Sequence, residues 1–272
     1  MKLETFSKTW FSKQTKLYYD STRTDQSSFK KLFNNFFDLP YELVFRNESY
    51  QSSLYNLLEK YYKNEEIVKA KFVSTNANCK RNFTFFEFPV KNSRIDIVSL
   101  GDKSFAYEVK TKYDTLDRLS KQLNDYLKCF EYVYVIISDD RLDEVAHMIP
   151  TEVGIYTFKD KSTTLNFRLI KKAELSSQMN FEYILDLFTK NYLKKYFLTE
   201  NRNLILSKFS IQQINKYFKL MIVDKYKGKN VSYWLGNSGS FLLYNAQLLI
   251  QCNLKLLSFY ALIFVLILFL LT

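Results

Sequence analysis

Residues 105–138 constrain the fold more than any other part of this chain. The stretch "FAYEVK" (105–110) alternates as a strand does. "DTLDRLSKQLNDYLKCF" (114–130) places Leu116, Leu119, Leu123, Leu127 and Phe130 on one helical stripe, with Asp114 as its expected N-cap. "VYVIIS" (133–138) follows at once as an apolar strand. A strand, a one-faced helix and a strand joined with so few spare residues make a βαβ crossover, which lays the two strands parallel and right-handed in one sheet.

The surrounding pattern extends this unit. Residues 94–158 read as strand, strand, helix, strand, helix, strand, an α/β succession. Residues 66–73 and 83–88 are expected as short strands, and 49–63 as an amphipathic helix with Leu54, Leu57, Leu58 and Tyr61 on one stripe. Residues 174–198 and 203–227 return to helical periodicity. The organisation expected is therefore an N-terminal helical extension (1–45), an α/β domain (46–160), a helical region (161–230) and an apolar tail (241–272).

Composition excludes several chemistries. One histidine, His147, disfavours histidine-rich metal sites and weakens any Ser-His-Asp reading. Five glycines leave no phosphate-cradling loop of the P-loop or dinucleotide type. Cys79, Cys129 and Cys252 have no paired spacing, which argues against a disulfide scaffold or a zinc site and for buried small side chains. The net charge of +11 fits a polyanionic partner, nucleic acid or a membrane surface. Only eight of the 39 basic residues are arginine, however, and the wealth of Lys, Asn, Tyr and Phe is also what an AT-rich genome produces. No apolar core of a signal peptide is visible in "MKLETFSKTWFSKQTK", so a cytoplasmic location is expected. The terminal run "LLSFYALIFVLILFLLT" (256–272) is about 25 Å long as a helix at ~1.5 Å per residue. That is short for a bilayer span, and leaves a tail anchor, a buried terminal helix and out-of-frame sequence as readings.

The chemistry lies in "SRIDIVSLGDKSFAYEVK" (93–110), read as a hairpin. Phe105, Tyr107 and Val109 share one face, and Ala106, Glu108 and Lys110 the other. On the first strand Ile95 and Ile97 are expected together, with Asp96 opposite them. Asp96 can stand beside Glu108 only if the loop around "GDKS" has an odd number of residues or a bulge corrects the register. Two carboxylates that close repel unless a cation joins them. A hard divalent ion such as Mg²⁺ meets that need, lowers the pKa of a bound water and stabilises charge on a phosphodiester. Lys110 would reach the same place, to hold the attacking water, deprotonate it or neutralise the transition state. Arg118, Gln122 and Tyr126 fall at i, i+4 and i+8, on a ridge beside the leucine stripe. Gln122 and Tyr126 can bond a phosphate or orient the lysine. Arg118 is a candidate phosphate contact or an ion-pair partner of Asp114.

"RID" followed twelve residues later by "EVK", with the Gln122-x-x-x-Tyr126 pair beyond, resembles the PD-(D/E)XK nuclease superfamily and its RecB-like branch. "EFPVKNSRIDIV", "YEVKTKYDTLDRLSKQLNDYLKCFEYVYVI" and "IPTEVGIY" together resemble most closely the "sce"-type nuclease-like proteins of bacteria and phages. The resemblance covers residues 40–160 and is densest over 94–137. It implies a restriction-endonuclease-like αβββαβ core with a mixed sheet, acting on DNA with Mg²⁺ or Mn²⁺. Asp96 matches the motif aspartate, Glu108 the second acid, Lys110 the lysine, and Gln122 and Tyr126 the trailing pair; Arg94, in the same "RID", is a candidate nucleic-acid contact. The motif proline is replaced by Ile95. Many relatives add an acid from the preceding helix; Glu48 is the best match, with Glu59 and Glu87 as rivals.

The expected activity is a metal-dependent phosphodiesterase cleaving DNA. The alternatives are a catalytically silent DNA-binding or defence-related module on the same fold, and a basic body held at a membrane by its tail. Residues 174–227 suit helices packed on the core better than a helix-turn-helix reader, because no turn glycine separates them.

Overall fold

The computed structural model describes residues 63–159 and 164–229. The chain opens on helix α1 (Glu65–Thr75) and a short α2 (Ala77–Arg81). Strands β1 (Phe83–Val90), β2 (Ser93–Leu100) and β3 (Ser104–Lys110) follow, then α3 (Leu119–Leu127) and β4 (Tyr132–Ser138). After these come α4 (Leu142–Ala146), β5 (Gly154–Phe158) and β6 (Phe167–Lys171). Helices α5 (Phe181–Leu185), α6 (Lys190–Phe197), α7 (Arg202–Lys208) and α8 (Ile211–Tyr226) end the described part. The strands form one sheet in sequence order, β1 to β6. The pairs β3/β4 and β4/β5 are parallel and the other three antiparallel, so the fold is α/β with a mixed sheet.

Both faces of the sheet are covered. On one, Val98, Leu100, Ala106, Val133, Val135 and Ile137 pack with the α3 leucines and with Phe218, Met221 and Ile222 of α8. Tyr226 stacks on Phe85, and Phe218 meets Phe130 edge to face. On the other face Phe72 of α1 packs against Tyr107, Tyr156 and Phe167, with ring centroids 5.0–5.1 Å apart. This double cover explains why β3 and β4 are almost wholly buried.

Several sequence expectations change here. Residues 66–73 are helix and not strand. Asn64 caps the helix by accepting from the Ile67 amide, and Glu65 and Glu66 occupy its acidic first turn. The β-branched Ile67, Val68 and Val73 are what make the stretch look extended. The helix expected over 114–130 starts at Leu119, because Asp114 is engaged elsewhere: it accepts from the Thr111 amide and hydroxyl at 2.7–2.8 Å, closing a turn. Strand β6 falls inside the region expected to be helical and pairs with β5, so the sheet runs past residue 160. The helices after it pack on the same core. Residues 1–45, Glu48, Glu59 and the 241–272 tail lie outside the described residues. Among the described residues no helix is long and apolar enough to cross a membrane.

On β1 and β2 the face pattern breaks at one shared place. Phe85 and Phe88 are three residues apart, yet both rings contact Tyr226. Their partners Val98 and Ile95 join the same core cluster, so Ile95 does not share a face with Ile97 as expected. Between them stand Glu87 and Asp96, the one position missing from the β1/β2 register. Glu87 has φ 63°, a left-handed conformation costing about 1–2 kcal/mol for a residue with a Cβ. The kink turns two acids out of the ladder, as a bulge does.

Close packing also fixes Gly154 at the start of β5. An added Cβ there would lie 2.3 Å from the Tyr134 ring and 2.6 Å from the Ala173 backbone nitrogen. Gly154→Ala should lower unfolding stability by about 1–3 kcal/mol in urea titration. Unchanged stability would contradict this packing.

Candidate functional site

The β2/β3 register pairs Ile97 with Tyr107 and Leu100 with Ser104, leaving a three-residue loop, 101–103. That is an odd loop, so Asp96 and Glu108 fall at opposed positions, but the kink turns Asp96 toward Lys69 of α1 while Glu108 faces α3. The ladder bonding stops short of them. Instead the Val109 amide donates to Asp96 Oδ2 at 2.7 Å, and the carboxylate takes the place of a ladder carbonyl.

Glu108 is 1% exposed and is the hub of the site. Its Oε1 accepts from Lys110 Nζ at 2.7 Å and Gln122 Nε2 at 2.8 Å. Its Oε2 lies 2.8 Å from the Tyr126 hydroxyl, which is also 2.8 Å from the Arg94 carbonyl oxygen. All four residues that the sequence assigns around Glu108 and α3 thus converge: Glu108, Lys110, Gln122 and Tyr126. The α3 stripe buries Leu119, Leu123 and Leu127, and the next positions round the helix deliver Gln122 and Tyr126 to the β3 edge.

Electrostatics follow from burial. Desolvation, reinforced by the Asp96 charge and opposed by Lys110, pushes Glu108 up to about 8. Burial pulls Lys110 down, but the Glu108 and Asp96 charges outweigh it, and its pKa is raised. Burial and the Glu108 charge also raise Tyr126. The Tyr126 hydroxyl donates to Glu108 Oε2 and also faces the Arg94 carbonyl oxygen.

A second group of acids adjoins the first. Glu65, Glu87 and Asp96 each bring a carboxylate oxygen within 4.8 Å of the other two. Lys69, 1% exposed, stands among them: it pairs with Glu65, with Glu87 Oε1 at 2.5 Å and with Asp96 Oδ1 at 3.1 Å. Burial lowers the Lys69 pKa, the Asp96, Glu65 and Glu87 charges raise it further, and the net is a strong increase. Burial and Asp96 raise Glu65. Arg94 Nε bonds Glu87 Oε2 at 2.7 Å while most of its side chain stays exposed.

These groups open on one cleft of about 660 Å³. Glu65, Asp96, Glu108 and Lys110 form its acidic and catalytic-type wall, and Arg94, Arg118 and Lys121 its basic margin. Arg118 is exposed and pairs with no described carboxylate, so the expected Arg118–Asp114 pair does not form. Carboxylate oxygens are the donors a hard divalent cation takes; among the described residues the close acidic trio is Glu65, Glu87 and Asp96, and Glu108 is not part of it.

Residues 55–248, well over half the chain, match the family described as "Bacteriophage P4 protein cII". The chain belongs to the phage P4 cII family. It is 25% identical over 144 residues to protein cII of Enterobacteria phage P4, a match covering 49% of this chain and 54% of that protein. The chain thus spans about half the length of the curated cII relative it matches. A protein of unknown function from Silicibacter pomeroyi is 15% identical, with a TM-score of 0.28 over 53% of this chain and 81% of that one. The cII match includes all the residues of the cleft.

Two residues of the site escape a reading of the sequence: Glu65, which lines the cleft, and Lys69, buried behind it. Both lie on a helix whose residues read as a strand, while the expected helix acid, Glu48, lies outside the described residues. The cap Asn64, the acidic pair after it and the i, i+4 spacing of Glu65 and Lys69 are the signals that mark both the helix and the pair.

Glu108 carries a pH prediction. Its pKa in the folded chain exceeds its unfolded value of about 4.5, so the folded state holds the extra proton. Its contribution is complete below the unfolded pKa and disappears as pH rises through about 8. Between pH 5 and 9, wild type should lose at least about 1 kcal/mol of stability relative to Glu108→Gln in urea unfolding. Parallel curves would show that Glu108 carries no such proton.

Proposed function

We propose that the chain is a divalent-metal-dependent phosphodiesterase acting on nucleic acid, with DNA as the expected substrate. One observation carries the reading: a buried carboxylate on β3 is held at 2.7–2.8 Å by the lysine two residues on and by a Gln and a Tyr from the crossover helix. A surface hairpin has no need to bury such an acid, and a core has no use for its charge. The order α1-β1-β2-β3-α3-β4, with α2 as a short insertion, supports the PD-(D/E)XK resemblance. So does the placement of Asp96 on β2 and of Glu108 and Lys110 on β3.

Asp96 and Glu108 would hold Mg²⁺ or Mn²⁺, which supplies a water of lowered pKa and charge stabilisation at phosphorus. A metal on Glu108 would compete with the proton that its burial favours, so binding should strengthen as pH rises. Gln122 and Tyr126 fix the rotamer of that carboxylate. Lys110 keeps its proton at neutral pH, because Glu108 and Asp96 raise its pKa. Of the roles open to it, orienting water and opposing charge on the phosphate oxygens therefore fit, and taking the proton does not. Arg118, Lys121 and Arg94 at the margin meet the flanking phosphates, which position a strand without reading its sequence.

The test is nicking of supercoiled plasmid and cleavage of single-stranded DNA by the full chain with Mg²⁺ or Mn²⁺. Asp96→Asn, Glu108→Gln and Lys110→Ala should each reduce the rate at least about 100-fold. Activity that survives all three substitutions would come from elsewhere and would overturn the assignment.

A further inference from the structure

We propose that the Lys69 ammonium takes the place of a second metal ion, so that this site binds one divalent cation and not two. The inference rests on the proposed metal site and specifies how many cations that site takes.

Three carboxylates, Glu65, Glu87 and Asp96, converge closely enough to share one ion. Carboxylates so arranged repel one another unless a positive charge stands between them. The chain provides its own. Lys69 comes from the same helix as Glu65, one turn on, and its ammonium pairs with all three acids. Asp96 divides its oxygens accordingly: Oδ1 faces Lys69 and Oδ2 accepts from the Val109 amide. Glu108 stands outside this group, bound instead by Lys110, Gln122 and Tyr126. The acids around Asp96 thus divide into the set that Lys69 joins and Glu108 beside it, while Asp114 of the same cleft is taken up by Thr111. A lysine is a fixed monovalent charge that holds the Glu65–Glu87–Asp96 set together before any metal arrives. A single divalent ion then enters on the Asp96–Glu108 side.

The experiment is calorimetric titration of the full chain with Mn²⁺, alongside thermal melting with and without the ion. Wild type should bind one Mn²⁺. Lys69→Met should melt lower in the absence of metal, bind two Mn²⁺, and recover more thermal stability from Mn²⁺ than wild type does. The triple variant Lys69→Met, Glu65→Gln, Glu87→Gln removes the need for a charge and should fold and bind one. Two ions in wild type, or one in Lys69→Met, would overturn the role given to Lys69 while leaving the metal site standing. A Lys69→Met chain that fails to fold even with Mn²⁺, beside a folded triple variant, would overturn it as well. No binding to wild type would instead remove the metal reading itself.

Discussion

The site depends on keeping carboxylates charged, or deliberately uncharged, where water is scarce. Ionised acids leave water only at a cost of several kcal/mol each unless donors or cations meet them. Every acid at the β1/β2/β3 kink is met. Lys69 serves Glu65, Glu87 and Asp96; the Val109 amide serves Asp96; Lys110, Gln122 and Tyr126 serve Glu108. The fold gathers these partners from α1, which lies far upstream in sequence, and from the β3–α3 crossover, which folds Gln122 and Tyr126 back onto Glu108. Their convergence is therefore a property of the sheet and its crossover, and not of any local motif.

Backbone and side chains cooperate in that convergence. The left-handed Glu87 breaks the alternation of β1, and the break is matched across the ladder at Asp96. Without it both acids would follow the pleat and point with their alternate neighbours. With it they turn toward α1 and Lys69, while Glu108 remains under α3. Strain of about 1–3 kcal/mol is typical of residues that a functional site holds in sparsely populated conformations. The large aromatic packing on both faces, Phe72 on one and Tyr226 on the other, is what holds the kinked strands in place.

The sequence made the β3-α3-β4 crossover legible because its two periods are clean: alternation to Lys110, then leucines on one face of the following helix. It posed the opposition of Asp96 and Glu108 only as a condition, which the three-residue loop 101–103 meets. Glu108 and Lys110 follow from strand alternation, and Gln122 and Tyr126 from their one-turn helical spacing. The α1 helix could not be seen in its β-branched residues, and with it were lost Glu65 and Lys69. Helix propensity is a weak prior that the Asn64 cap and packing of Phe72 override. The kink at Glu87 was equally hidden, because nothing in "FTFFEFPV" distinguishes a left-handed glutamate from an extended one. Strand β6 was missed because its residues, "FRLIK", are half exposed at the sheet edge and lack a buried apolar run.

The stretch matched to the phage P4 cII family includes the whole cleft, and the chemistry is decided at the cleft itself. The most direct decision is crystallographic. Crystals of the full chain grown with Mn²⁺ and measured at the manganese edge should show one anomalous peak, coordinated by Asp96 and Glu108. No peak in the cleft, or a peak that avoids both carboxylates, would contradict the account.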